Sequence, residues 1–322
     1  MDNKQICVIG ASNLDLYVST ESDLIEDISL CGKISFAAGG VGRNIAANLA
    51  SLKINNYFIS IFSNDIYGKI LLCSIDREFI CTKDSILDAN TCSAYCDLLT
   101  ATNHFGINDM GNLSKLTPHF FKQKKEQLEK MDYIIFDLNI TNESIDYLLN
   151  NINTKWICDA TSVIKCNKFK KNLSKLYILK ANYAEALQIA GLKSGCQIET
   201  LVDKLLCQGI KKLYITLGAE GAIFANSDQK IYMRHKFPIH KCSTVGAGDV
   251  FLAAILHGIL LNYNIYKTLS YAIKLSYSFI KEKSHQLSKN VIQNAEQISN
   301  QDIITFTWGK ADKKWLKYSQ ME

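Results

Sequence analysis

The sequence predicts an α/β fold: a doubly wound, mainly parallel sheet with a small antiparallel β-sheet outside it. Three observations predict this. Short apolar runs recur, "ICVIG" at residue 6, "YFISIF" at 57, "YIIFDL" at 133, "KWICDA" at 155, "LYILKA" at 176 and "LYITLG" at 213. Each is rich in Ile, Val, Tyr or Phe and bounded by polar or glycine residues, as strands are. Most are separated by stretches of helical period: Ile45, Leu49 and Leu52 fall at i, i+4 and i+7, and Leu201, Leu205 and Leu206 nearly repeat that spacing. Continuous apolar strands alternating with helices imply a parallel sheet covered on both faces. Residues 12–38 and 90–110 break the alternation with short alternating segments and no helix between them. They predict the small outlying sheet.

The chain has 322 residues, enough for one large α/β domain or two ordinary ones. Hydrophobic content of 48% and charged content of 21% are those of a soluble globular protein. The net charge of +5 is spread along the chain, with short clusters such as "KQKK" and "KFKK" in place of the dense basic stripe a nucleic-acid face needs. The eleven cysteines stand singly without a CxxC pair, which removes zinc and thioredoxin-like spacings and makes a reducing cytoplasm the economical location. "MDNKQICVIGAS" lacks the layout of a signal peptide, and the longest apolar run, Val250 to Leu261, is too short for a bilayer. Residues 301–322 are basic and aromatic, a tail open between a docked helix and a frayed end.

In open α/β sheets ligands sit beyond the carboxyl ends of the strands, so chemistry is sought just after them. Asn13 and Asp15 follow the first strand and, two residues apart in an extended segment, point to one side. There an amide and a carboxylate can bind vicinal hydroxyls, although an Asx pair after a strand is more often turn chemistry. Gly39, Gly40 and Gly42 bare the backbone before the Ile45 helix. Their spacing is not the GxGxxG of dinucleotide binding, and Asn44 in the first turn can both donate to and accept from a polyol. The sharpest candidate is "STVGAGD", residues 243–249, directly before the apolar run. Gly246, Ala247 and Gly248 leave backbone N–H groups accessible to an anion at a helix start. Asp249 beside them is either a simple N-terminal charge or a general base for a hydroxyl whose phosphoryl partner the N–H groups hold. No GxxxxGK[ST] occurs anywhere.

"GGVGRNIAANLA" and "STVGAGDVFLAAIL" resemble, in order, the two signatures of the ribokinase-like (PfkB) family of carbohydrate and nucleoside kinases. "FSNDIYGK" at 62, "LKANYAEA" at 179 and "ITLGAEGA" at 215 resemble the family's intermediate segments, so the likeness covers roughly residues 5–290. Within it, "GGVGRNIAANLA", "INDM", "DLNI" and "TSVIKC" resemble the pseudouridine-kinase branch. The resemblance implies a Rossmann-like, ribokinase-like kinase domain over residues 1–300, with 12–38 and 90–110 as a β-sheet lid. It implies ATP, Mg²⁺, a small nucleoside or sugar acceptor and a homodimer through the lid. By resemblance Asp249 is the catalytic base and 246–248 the anion hole, while Asn13, Asp15, Gly39, Gly40 and Asn44 hold the ribose hydroxyls. Asn182 and Glu185 organise phosphates and Mg²⁺ through water, and Thr216, Gly218 and Gly221 flank the nucleotide. Thr91, Asn108 and Asp109 reach the base or sugar, and Lys165 either approaches the acceptor or is a surface lysine. Ser243, Val245 and Ala181 depart from the family's "DTTGAGD" and "KPN"; the lost Asp helps bind a monovalent cation in many members, so the resemblance does not extend to potassium dependence.

Overall fold

A computed structural model of the chain describes residues 4–88, 92–169, 172–239, 244–284 and 286–308. The main sheet has ten strands. Seven run parallel, in the spatial order Ile80–Cys81, Asn56–Ile59, Ile6–Ile9, Tyr133–Asp137, Lys155–Asp159, Leu176–Asn182 and Lys212–Thr216. Three antiparallel strands continue the sheet: Ala222–Ala225, Lys230–His235 and Ile303–Trp308. The last belongs to the tail, which is therefore neither helix nor loose end over 303–308; residues 309–322 lie outside the described residues.

Apart from the short edge strand Ile80–Cys81, both faces of the parallel strands are largely buried, as their apolar runs require. Along the first strand Ile6 and Val8 enter one core cluster, Cys7 and Ile9 the other. The first cluster is built against the helices Val41–Ser51, Ala247–Leu260 and Ile265–Lys281, the second against Asn142–Asn151, Tyr183–Ala190 and Ile198–Leu206. Helix starts are set locally. Thr141 and Asn264 accept from the backbone N–H three residues on, and Asn182 and Glu185 form a reciprocal capping box. The Ala247–Leu260 helix is buried from Val250 to Leu256, which explains its apolar run without a membrane. Among the described residues no helix is long and apolar enough to cross one, and every described cysteine is free.

The "YFISIF" run is divided at Ser60. Asn56–Ile59 stays in the main sheet, and Ile61–Ser63 pairs instead with Ile86–Asp88. The outlying sheet has four strands, in the order Lys33–Gly39, Asn13–Ser19, Ser93–Leu99 and His104–Asp109. Its outer pairings are antiparallel and its middle one parallel, since Asn13–Ser19 and Ser93–Leu99 belong to two separate excursions of the chain. The register divides its faces. Asn13, Asp15, Tyr17, Tyr95, Asp97 and Asn108 share one; Leu16, Val18, Ile34, Phe36, Cys96, Leu98, Phe105 and Ile107 share the other.

Two glycines allow the first strand and the Val41–Ser51 helix to touch. A Cβ on Gly42 would stand 2.8 Å from the Gly10 backbone, and one on Gly10 would stand 2.3 Å from the Asp137 carboxylate. Gly42→Ala should therefore lower stability by about 1–3 kcal/mol through overpacking, despite alanine's better helix propensity. Urea unfolding checks this, and an unchanged midpoint would mean the contact yields freely.

Candidate active site

The site lies where the outlying sheet meets the carboxyl ends of the parallel strands. Asn13 and Asp15 do project together: the Asn13 amide donates to the Asp15 carboxylate. Gly39 stands opposite Asn13 in the next strand, and a Cβ there would strike Asp15 at 2.1 Å. Gly40 has φ +97°, a backbone open to glycine, and a Cβ would meet the Asn13 Oδ1 at 2.7 Å. That Oδ1 is buried without a hydrogen-bond partner. A buried acceptor left over is costly, and a hydroxyl donor would satisfy it. Burial pushes the Asp15 carboxyl up to about 6, against donors from Tyr17 and Asn13 and the charge of Arg43.

Asn44 lies in the first turn of its helix, and its Nδ2 donates to Asp249 Oδ2 at 2.9 Å. This bond joins segments 205 residues apart. Asp249 is buried in the first turn of the Ala247–Leu260 helix. Its carboxyl is pushed up to about 7 by burial and then by Asp159, with Lys180 and the Asn44 donor opposing. Lys180 pairs with Asp159 at 2.9 Å, both side chains buried. Burial opposes the Lys180 charge, but Asp159, Glu185 and Asp249 prevail and hold it up at about 12, a firm cation. A Cβ on Gly248 would lie 2.6 Å from its Nζ, so Lys180 meets the start of the helix directly.

Gly246 caps that helix with φ 80° in the left-handed region. The Ala247 N–H is donated to the Thr244 carbonyl at 3.0 Å, so it is not offered to a ligand. The candidate anion donors that remain are the N–H groups of Gly246 and Gly248, at the positive end of the helix. A cavity of about 270 Å³ opens beside them, lined among others by Lys180, Asn182, Thr216, Gly218, Gly221 and Gly248. Its far wall includes Phe251, Ile273 and the stacked pair His235–Tyr277, whose ring centroids are 3.7 Å apart.

The remaining candidates fall differently. Glu185 is buried, its Oε2 accepts from the Asn182 N–H at 2.8 Å, and burial raises its carboxyl. Lys165 is no surface lysine: its Nζ contacts the Asn139 amide oxygen, and Asp137 supports its charge against burial. Asn108 shares the Asp15 face, with Tyr95 between them in register, but alternation puts Asp109 on the opposite face, where its carboxylate accepts from the Gly111 N–H. Thr91 and Ser243 lie outside the described residues. Sequence reasoning passed over Arg43, Asp137, Asp159 and Lys180. Asp137 and Asp159 end parallel strands, the place where open α/β sheets bind ligands, and that rule could have found them.

Among the described residues no three His, Cys, Asp or Glu side chains cluster to hold a metal. Mg²⁺ usually takes one or two protein carboxylates and otherwise phosphate and water, and Glu185, bonded to the cavity-lining Asn182, is a carboxylate of that kind.

Known proteins share the fold. The chain is 29% identical over 256 residues to a pseudouridine kinase of Escherichia coli, covering 78% of this chain and 82% of that one. Its fold superposes on a carbohydrate kinase from Agrobacterium tumefaciens with TM-score 0.78 at 21% identity, covering 94% and 100% of the two chains. It also superposes on an Arabidopsis thaliana ribokinase complexed with ribose and ATP, with TM-score 0.77 at 19% identity, covering 93% and 100%. Residues 3–309 match the pfkB family of carbohydrate kinases, and the chain belongs to that family of phosphotransferases.

Proposed function

We propose that this chain phosphorylates the 5′-hydroxyl of pseudouridine at the expense of ATP, with Asp249 as general base. The observation that carries the mechanism is the Asn44–Asp249 hydrogen bond, which sets the candidate base between the hydroxyl-binding cup and the cavity. The 29% identity to a pseudouridine kinase and the segments quoted above support the acceptor.

In this reading Asn13, Asp15, Gly39, Gly40 and Asn44 hold the ribose hydroxyls, and the orphaned Asn13 oxygen accepts a hydrogen bond from one of them. Asn108, across from Tyr95, faces the base. Thr216, Gly218 and Gly221 flank the nucleotide, and Asn182 with Glu185 would hold Mg²⁺ through water. MgATP, when bound, supplies the phosphoryl group and a cation that neutralises part of its charge. Gly246 and Gly248 offer N–H groups to its oxygens, and Lys180 adds a fixed positive charge beside Gly248. Asp249 would remove the acceptor proton as the new O–P bond forms and the bond between the transferred phosphorus and the bridging oxygen breaks, ADP being the leaving group. Such an enzyme operates in the cytoplasm, where its free thiols persist.

ADP release from MgATP, with pseudouridine, uridine, adenosine, ribose and fructose offered side by side, tests the acceptor. Turnover with pseudouridine alone is expected, and selective turnover with another acceptor would keep the mechanism and replace the substrate. Asp249→Asn should lower kcat by about 10²–10⁴, the usual worth of a general base.

The carboxyl of Asp249 accepts a proton only when ionised. Because its pKa is raised to about 7, kcat/KM should fall as pH drops through about 7 and level off above it. A profile flat down to pH 5 would remove Asp249 as the base.

The lid's outward face is apolar and open: Ile34, Phe36 and Ile107 are 72%, 64% and 66% exposed. A continuous patch of this kind marks an interface, and a second copy of the same sheet is its occupant in this reading. Phe36→Asp should convert a dimer to a monomer in sedimentation; a wild-type monomer at micromolar concentration would refute the pairing.

A further inference from the structure

Arg43 is 3% exposed, in the first turn of the helix Val41–Ser51. A buried arginine normally has a carboxylate partner. Among the described residues no ion pair is formed by Arg43, and its Nε is buried without a hydrogen-bond partner. Its donors go elsewhere: Nη1 to Ser74 Oγ at 3.4 Å and Nη2 to Asn44 Oδ1 at 3.0 Å. Asn44 in turn donates from Nδ2 to Asp249 Oδ2 at 2.9 Å.

The chemistry of the three groups dictates the order of this chain. A guanidinium carries only donors, an ionised carboxylate only acceptors, and the amide one of each. Turned over, the amide would set its NH₂ against the guanidinium and its oxygen against the carboxylate, repulsive at both ends. The donors and acceptors on either side thus fix the amide orientation.

We propose that Arg43 is a positioning residue for phosphoryl transfer: by donating to the Asn44 oxygen it locks the amide with its NH₂ on Asp249, occupying one oxygen of the base and leaving the other for the acceptor hydroxyl. This rests on the reading of Asp249 as base. Without Arg43 the amide turns freely, and the donor that holds Asp249 ionised is lost for part of the time. The other groups that act on Asp249 are Asp159, Lys180 and Asp137, from the neighbouring strands, and Arg43 itself by charge; Asp15 acts on Arg43 from the lid.

The test is a double-mutant cycle read by pH–rate profile. Arg43→Met, close in length and without donors, should lower kcat/KM for the acceptor about ten- to a hundredfold, the worth of one hydrogen bond to a charged group. It should also move the acid limb to higher pH and leave the KM for ATP unchanged. Arg43→Lys, which still donates, should recover most of the loss. In an Asn44→Ala background, Arg43→Met should add only a small further change, because the amide through which it acts is gone. A full, undiminished effect in that background would overturn the proposal, as would a wild-type profile in Arg43→Met. Arg43→Leu, also without donors, carries the same cycle if the methionine variant does not fold. Asp249→Asn separates the two readings: if it stays active the base assignment fails, whereas if it is dead and Arg43→Met is unaltered only the present inference fails.

Discussion

The junction of the outlying sheet, the first strand and the Val41–Ser51 helix depends on one buried carboxylate. Asp137, at the end of its strand, accepts from the backbone N–H groups of Ala11 at 2.8 Å, Gly42 at 2.9 Å and Asn139 at 2.8 Å. Burial raises its pKa, and these donors offset part of that cost. Ala11 leads within two residues to Asn13, and Gly42 within two to Asn44. One side chain therefore sets how the lid strand leaves the main sheet and how the Val41–Ser51 helix enters it. The bare backbones of Gly10 and Gly42 are the steric counterpart, since a side chain at either would force those N–H groups away from the carboxylate.

Much of this architecture was legible in the residues. Six of the seven parallel strands announced themselves because strands buried on both faces must be apolar throughout, and the lid because its segments lacked helices; the two-residue edge strand Ile80–Cys81 was too short to show. The antiparallel edge was not legible. Ala222–Ala225 and Lys230–His235 are short, and the aromatic Ile303–Trp308 pairs with a strand far back in the chain, a long-range fact that no local period records. Within the site, glycines and Asx residues stood out because turns and close approach constrain them. Arg43 and Lys180 did not. A lone cation in a sequence reads as solvated surface, and only the fold reveals that both are buried, Lys180 against the Asp159 carboxylate and Arg43 against the Asn44 amide. Asp109 erred by one step of a two-residue period, and Ala247 because the helix start itself consumes its N–H.

The lid's two faces express a division of labour that follows from the same pleat. Polar residues at every second position share the Asp15 side, so the proposed substrate contacts and the apolar exposure fall on opposite sides of four strands. A single sheet can thus bind a hydroxylated ligand inward while remaining available for association outward. Changing acceptor specificity on the inner face leaves the outer face untouched, since no inward side chain contributes to it.

The charges around Asp249 argue for a base whose strength depends on occupancy. Asp159 and burial raise its proton affinity, while Lys180 and Asn44 lower it. Lys180 is shared: it already pairs with Asp159, and its Nζ abuts Gly248, where phosphate oxygens would approach. Phosphate arriving there draws on the same positive charge that holds Asp249 ionised and adds negative charge of its own. Both effects make Asp249 more basic. A cation accompanying the phosphate opposes the change, and the balance keeps the carboxylate near the pH at which it works. On the proposed reading of Asp249 as base, its strength at transfer is therefore set jointly by the arriving phosphate, the accompanying cation and Lys180, and not by the carboxylate alone.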